Sequence, residues 1–93
     1  MDSIQLDGNK LDAMTLATQN TKILVILAAH GLLGCGYISV DTAAKVGDAL
    51  AVVSGVSGYE DMLRAAVKAV SPAAEALGVR SGMTGRDALL KMQ

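Results

Sequence analysis

The residues with the greatest chemical potential lie in one short apolar segment. His30 and Cys35 are the only histidine and the only cysteine, and both fall within residues 23–40, ILVILAAHGLLGCGYISV. A thiolate becomes a nucleophile when its pKa is lowered, and a neighbouring imidazole often lowers it. The pair predicts a cysteine-dependent site with Cys35 as nucleophile and His30 as base. The alternative is that Cys35 is a small core side chain and His30 a turn residue bonded to local backbone.

A second group of candidate residues lies near the C-terminus, in the segment Ser81–Arg86. A helix is predicted to begin at Thr84, and the N–H groups and partial positive charge at a helix start attract anions. Arg86 would add a forked donor for a carboxylate or phosphate. The predicted anion site consists of Gly82, Thr84, Gly85 and Arg86. The alternative is ordinary capping by Thr84 and Asp87, with Arg86 paired to a nearby carboxylate.

Other kinds of site find little support in composition or motif. One histidine, one cysteine and scattered carboxylates do not make a metal-ligand cluster, so no metal site is predicted. Gly31, Gly34 and Gly36 have the wrong spacing for a dinucleotide fingerprint, and no P-loop pattern occurs, so no cofactor is expected. The net charge is −1, tyrosines are the only aromatic residues, and no run of Lys or Arg occurs. Nucleic-acid binding is therefore not predicted.

The elements that position these residues begin with an antiparallel meander. Its predicted strands are residues 4–6, 10–18, 22–29 and 32–39, with turns at Asp7-Gly8-Asn9, 19–21 and His30-Gly31. The strand 22–29 is apolar and branched without polar alternation, which favours a central strand buried on both faces. Two later strands are predicted at 49–53 and 67–70.

Short helices are predicted in the second half of the chain. Asp41 is expected to cap residues 42–46, and Ser57 with Glu60 to form a capping box. Ser71 and Pro72 are expected to begin a helix that ends at Gly78, and Thr84 to begin one that runs to about Met92. The predicted fold is a single α+β domain over residues 1–93. It has a mostly antiparallel sheet, an N-terminal meander plus one or two later strands, and three to four short helices.

Composition bears on assembly and compartment. The chain is 52% hydrophobic and only 18% charged, and it has neither Phe nor Trp. Because aromatic side chains usually supply the largest buried areas, a homo-oligomer is expected to cover part of the apolar surface. A single cysteine cannot form a disulfide within the chain, which favours the cytoplasm. No signal peptide is recognised, and the glycines and His30 within residues 23–40 argue against a membrane span.

Three motifs relate the chain to a known family. They are His30-Gly31 followed by Cys35-Gly36, VSGVSGYEDML at 53–63, and LGVRSGMTGRDALLKM at 77–92. On these motifs the chain resembles the YunC-like family of small uncharacterised proteins, over residues 6–92. The resemblance implies a shared α/β fold. It carries over no activity, cofactor or catalytic residue.

The functional expectation therefore comes from the residues themselves. The leading hypothesis is a small-ligand- or anion-binding module that acts as an oligomer. Its site would lie between the hairpin 30–36 and the helix start at 81–86. The second hypothesis is a cysteine-dependent enzyme that uses Cys35 with His30. The third is a structural oligomer with no ligand.

Overall fold

The computed structural model describes residues 1–93 and contains one six-stranded sheet with four short helices. The strands are β1 Asp2–Leu6, β2 Asn9–Ala17, β3 Lys22–Leu27, β4 Leu32–Gly34, β5 Leu50–Val52 and β6 Ala69–Val70. The helices are α1 Val40–Val46, α2 Tyr59–Arg64, α3 Pro72–Ala76 and α4 Gly85–Lys91. None of these helices is long and apolar enough to cross a membrane.

The strands lie side by side in the order in which they occur along the chain. All neighbouring strands are antiparallel except β4 and β5, which are parallel and are joined through α1. A parallel pair requires such a crossover because its strands run in the same direction. The α+β prediction is confirmed, with an N-terminal meander of four strands and two later ones. The predicted central position of β3, between β2 and β4, is also confirmed.

The first turn shows how local chemistry sets the register of the meander. Asp7 and Gly8 have φ angles of 49° and 83°, and Leu6 pairs with Asn9 across them. Two consecutive residues with positive φ form the hairpin turn that matches the twist of the flanking strands. This register places Leu11 and Ala13 of β2 on the buried side of the sheet.

The inner face of the sheet carries the main core. Leu24, Ile26 and Leu33 on adjacent strands are at most 1% exposed. Three helices cover this face and contribute buried side chains such as Met62, Ala74 and Leu89. Side chains alternate between the two faces along each strand, which gathers the apolar ones on this face. The helices of the C-terminal half of the chain pack over it and complete the core.

The outer face of the sheet is covered over only part of its width. Ala43 of α1 packs against Leu50 and Val52 of β5 in a second, smaller core. The outer face of β1–β3 is open at Leu16 and Leu27, which are 56% and 41% exposed, whereas Val25 on the same face is 8% exposed. The expectation that residues 22–29 are buried on both faces is therefore wrong at Leu27 and holds at Val25. The apolar run reflects a covered inner face and an outer face that is open in part.

The fourth strand is shorter than the predicted 32–39. A Cβ atom at Gly34 would lie 2.7 Å from the Cγ1 of Ile38, so the chain folds back directly over Gly34. The Ile38 N–H donates to the Cys35 carbonyl at 3.0 Å and closes this turn. The strand ends here because only a glycine leaves room for the reversal.

Two predicted helix caps are corrected by the structure, and two are confirmed. Helix α1 is capped by Ser39 rather than Asp41, which lies inside the helix. Helix α2 begins after Gly58, and Asp61 rather than Glu60 bonds back to the preceding turn. The confirmed caps are Ser71 and Thr84. Helix α1 begins two residues before its predicted start, and helix α2 begins one residue after it.

Candidate functional site

A cavity lies at the carboxyl ends of the two parallel strands. Gly34 of β4 and Val52 of β5 are register partners, and the chain leaves both strands at the same edge of the sheet. Because β3 is antiparallel to β4, the start of β3 lies at this edge as well. Ligands in α/β sheets characteristically bind outside the carboxyl ends of the strands. The topology thus brings three separate loops together where a ligand site is expected.

These three loops line a cavity of about 410 Å³, which we call the Cys35 pocket. Its lining residues are Thr21, Lys22, Cys35, Gly36, Tyr37, Ser54, Gly55 and Val56. Gly55 has a φ of 70°, a conformation that L side chains rarely adopt, and it lets the loop after β5 turn away from the sheet. A Cβ atom at Gly36 would lie 3.9 Å from the Cβ of Ser54, which is ordinary van der Waals contact.

The charge of the Cys35 pocket comes from Lys22 alone. No acidic side chain lines the pocket, and no carboxylate forms an ion pair with Lys22. The Lys22 ammonium donates to the Ser57 carbonyl at 3.3 Å. A second cavity of about 390 Å³ adjoins, sharing Thr21, Lys22 and Val56, and it too has no acidic lining residue. Lys22 therefore gives two adjoining polar cavities a positive potential.

Cys35 lines the pocket but is almost completely buried. The residue is 5% exposed, and its Sγ accepts a hydrogen bond from the Leu24 N–H at 3.3 Å. The Cys35 N–H in turn donates to the Leu24 carbonyl at 3.0 Å. Through these two bonds, Cys35 extends the hydrogen bonding between β3 and the chain by one residue beyond the end of β4. This contact gives the sulfur a structural partner at the edge of the cavity.

His30 lies at the opposite end of β4 from Cys35. The three residues of β4 alone span about 10 Å, and His30 lines none of the cavities around Cys35. The exposed His30 contributes its N–H, which donates to the Met92 carbonyl at 2.7 Å. A Cβ atom at Gly31 would lie 2.5 Å from the Met92 Sδ. His30 and Gly31 thus contact Met92 at the end of α4. His30 is too far from Cys35 to act as its base.

The predicted anion segment uses its polar groups within the fold. The Gly82 N–H donates to the Val67 carbonyl at 2.8 Å, and the Gly85 N–H to the Ala65 carbonyl at 2.9 Å. The hydroxyl of Thr84 accepts from the Asp87 N–H at 3.1 Å. These bonds attach the start of α4 to the segment between α2 and β6. They satisfy the N–H groups of Gly82, Gly85 and Asp87, three of the donors that an anion at this helix start would use.

The structure does not bring Arg86 to the Cys35 pocket. Arg86 forms an ion pair with Asp7 in the turn between β1 and β2, and both side chains are about half exposed. No cavity is lined by both Arg86 and Cys35. Of the two segments singled out in the sequence, only the one around Cys35 and Gly36 lines the pocket at the carboxyl edge.

The segment between the pocket and α2 is held by two local networks. Ser57 donates to the Asp61 carboxylate through its Oγ at 2.8 Å and its N–H at 3.1 Å, and these bonds lower the pKa of Asp61. The Tyr59 hydroxyl donates to the Asp2 carboxylate at 2.7 Å and accepts from Thr15. Desolvation is the main cause that raises the pKa of Tyr59. Neither Asp61 nor Tyr59 lines the pocket.

Six pocket residues were missed by the sequence reasoning: Thr21, Lys22, Tyr37, Val56, Ser54 and Gly55. A signal for the last two was present. Ser54 and Gly55 follow an apolar strand directly, and a helix separates that strand from β4. A strand-helix-strand order indicates parallel strands whose carboxyl ends meet. Lys22 has no comparable signal, because only the antiparallel return of β3 brings it to this edge.

The fold is that of a small α+β domain with one parallel strand pair and a polar cavity at its carboxyl edge. A family model, "Domain of unknown function (DUF1805)", matches residues 34–92, and the chain belongs to this family. The matched range includes the two loops that follow β4 and β5. It leaves out Thr21 and Lys22, which form the third wall of the pocket.

Two relatives extend this relationship over nearly the whole chain. The chain is 32% identical over 93 residues to the uncharacterized protein YunC of Bacillus subtilis (strain 168), covering 96% of this chain and 92% of that protein. It is also similar to the crystal structure of a protein of unknown function, TA1206, from Thermoplasma acidophilum. The TM-score is 0.93 at 33% identity, covering 99% of this chain and 90% of that one. The predicted YunC-like family and α+β fold are confirmed.

Proposed function

We propose that this protein binds a small anionic ligand in the Cys35 pocket. One observation carries the proposal: the cavity at the carboxyl ends of the parallel strands has a lysine and no acidic residue in its lining. Its volume of about 410 Å³ falls within the range of about 300–1,000 Å³ that is usual for small-molecule sites. The proposal keeps the anionic ligand of the sequence hypothesis and places it away from Arg86.

Each wall of the pocket has a role in this proposal. Lys22 supplies the charge that attracts a carboxylate or phosphate, as a point charge on a flexible stem. Ser54, Thr21 and Tyr37 offer hydroxyl groups that donate to anionic oxygens. Gly36 and Gly55 expose backbone at the cavity, which allows a ligand to approach closely. Specificity would come from these hydroxyls, since Lys22 alone does not distinguish between anions.

The test is a thermal-shift titration with inorganic phosphate, sulfate and citrate at constant ionic strength. A ligand that binds only the folded chain raises the melting temperature with its concentration. Lys22→Met should abolish the shift. Lys45→Met is the matched control, because Lys45 is an exposed lysine in the last turn of α1 that lines no cavity. If no anion shifts the melt, or if both variants respond like the wild type, anion binding in this pocket is refuted and the hypothesis of an oligomer without a ligand gains support.

A cysteine-dependent reaction is the second candidate function. It is favoured because Cys35 lines the same cavity as Lys22, whose positive charge can stabilise a thiolate. The measurement is the rate at which a thiol reagent labels Cys35 in the folded protein. A nucleophilic Cys35 would react faster than free cysteine, and Lys22→Met would slow the reaction while His30→Ala would not. Labelling only in denaturant would refute this candidate and leave Cys35 as a core side chain.

We propose the cytoplasm as the setting of the protein. The one cysteine is buried and free, so the fold does not depend on an oxidising compartment. Fractionation of cells that express the tagged full chain would test this. Recovery of the chain in the soluble fraction supports the proposal, and secretion into the medium contradicts it.

A further inference from the structure

The open outer face of β1–β3 carries a patch of apolar side chains. We define this outer patch as Met14, Leu16, Ile23, Val25 and Leu27. Met14 is the register partner of Val25, and Leu16 is the register partner of Ile23, so the side chains cluster on adjacent strands. All five side chains are apolar, and the charged residues of this face, Lys10 and Asp12, lie toward the other end of β2. An antiparallel sheet face that meets water is normally polar, whereas Met14, Leu16 and Leu27 are 42%, 56% and 41% exposed here; Val25 is 8% exposed.

Helix α1 borders the outer patch on one side and continues its apolar character. Leu27 of the patch is the register partner of Leu32, and Leu32 lines a groove of about 260 Å³ between α1 and the sheet. Val46 of α1 lies at the same groove and is 66% exposed. The apolar surface therefore extends from β2 toward the flank of α1, where Ser39, Thr42 and Asp48 also line the groove.

We propose that the outer patch is the interface of a two-fold symmetric dimer of this chain, independent of the ligand pocket. A flat sheet face packs well against another sheet face about 10 Å away, and a second copy supplies a face of identical twist. The same patch on both subunits then covers itself.

The dimensions of the face agree with a specific interface. With five, nine and six residues in β1, β2 and β3, the face has a flat footprint of about 320 Å², and the outer patch occupies the part of it on β2 and β3. A specific interface removes at least about 1,000 Å² in total, or about 500 Å² per partner. The flat footprint is already more than half of the roughly 500 Å² per partner. Protruding side chains and the flank of α1 add further surface to it.

The charges at the rim are also compatible with a second copy. Lys10 and Asp12 lie on the same face of β2 as Met14, by the alternation of the strand, and both are exposed. Their charges are opposite, so two identical faces do not repel each other. A negatively charged lipid surface is less well matched, because Lys10 is the only cation along this face of β2 and Asp12 cancels it.

The experiment is sedimentation velocity on the full chain at micromolar concentration. The wild type should have twice the mass of one chain. Leu16→Glu should weaken the dimer on the order of 100-fold, because a two-fold interface would bury two unpaired carboxylates. Met14→Lys is a second variant at a separate position of the patch. Leu77→Glu is the matched control: Leu77 is 39% exposed, similar to Leu27 at 41%, but lies at the end of α3.

Each result decides the proposal. A dimer that dissociates in either patch variant but persists in Leu77→Glu, with native circular dichroism, supports it. A monomeric wild type overturns it, as does a wild type that instead binds anionic lipid vesicles or an assembly that both patch variants leave intact. The anion-dependent thermal shift should persist in the Leu16→Glu monomer, because the patch shares no residue with the Cys35 pocket. Failure of one proposal is therefore distinguishable from failure of the other.

Discussion

Two glycine-containing segments of this protein use their polar groups in opposite ways. In the segment Ser81–Arg86, the N–H groups of Gly82 and Gly85 donate to carbonyls of the segment between α2 and β6. In the loops that line the Cys35 pocket, the Ser54 hydroxyl forms no side-chain hydrogen bond with the protein, and Lys22 has no acidic partner. The first segment uses its N–H groups to connect two parts of the fold. The second leaves the Ser54 hydroxyl and the Lys22 charge available to a ligand.

The difference teaches how such motifs should be interpreted. Glycine, serine and threonine in a short run indicate a turn or a helix start, and both segments fulfil that prediction locally. Whether the run also binds a ligand depends on which donors are already satisfied inside the protein. At Gly85 the neighbouring backbone is so close that no ligand could enter. At Gly36 a cavity lies beside the backbone.

The largest expected effect comes from adding one methyl group to each of these two glycines. A Cβ atom at Gly85 would lie 2.0 Å from the Met62 carbonyl oxygen, so Gly85→Ala must displace α4 from α2. We expect a loss of about 3 to 5 kcal/mol of unfolding free energy. Gly36→Ala should cost less than about 1 kcal/mol, because its Cβ atom meets only ordinary contact. Urea denaturation of the two variants measures the contrast, and equal losses would contradict it.

Two serines provide the next contrast. The Ser71 hydroxyl is fully buried, accepts from the Leu50 N–H at 2.8 Å and donates to the Asp48 carbonyl at 2.7 Å, and it also caps α3. Ser71→Ala should lower the unfolding free energy by about 2 to 3 kcal/mol, because a buried N–H loses its partner. Ser54→Ala should change it by less than about 0.5 kcal/mol. Thermal denaturation is the measurement, and a Ser54 variant as unstable as the Ser71 variant would show that the pocket hydroxyl is structural.

A smaller effect is expected at Arg86. Its ion pair with Asp7 is about half exposed, so Arg86→Ala should cost only about 0 to 1 kcal/mol, and added salt should reduce the difference. The same variant should keep any anion-dependent thermal shift of the wild type. Loss of that shift in Arg86→Ala would return the ligand site to the C-terminal segment and contradict the Cys35 pocket.

The smallest expected effect concerns the acid limb of stability. Hydrogen bonds from Ser57, followed by the charge of Arg64, lower the pKa of Asp61 in the folded chain. A depressed folded pKa stabilises the protein above the unfolded value of about 3.9, and this contribution is lost as the pH falls through the folded pKa. Asp61→Asn should therefore flatten the decline of melting temperature below about pH 4. An unchanged decline would mean that the Ser57 bonds do not persist in solution.

Much of the fold could be predicted because its signals are local. The Asp7-Gly8 turn, the apolar strand β3 and the caps Ser71 and Thr84 depend on a few neighbouring residues, and the structure confirms all four. Predictions failed where packing and not propensity decided the conformation. The fourth strand ends early because Ile38, although near in the chain, packs over Gly34, and no propensity encodes that contact.

The candidate site was only partly predictable for the same reason. The segment 30–36 was singled out for its histidine and cysteine, but the structure separates the two side chains by the length of β4 and assigns His30 to the docking of Met92. Lys22 supplies the pocket's charge, and it was not singled out. It reaches the pocket only because β3 runs antiparallel to β4.

The sequence by itself determined the α+β class, the N-terminal meander and its turns, two of the four helix caps, and the family. These follow from periodicity, turn chemistry and motif, which act over a few residues. Only the tertiary structure decided which polar groups are satisfied, which loops share a cavity, and which apolar face stays uncovered. Those properties depend on contacts between residues far apart in the chain, and hydrogen-bond satisfaction and burial exist only once the chain has closed on itself.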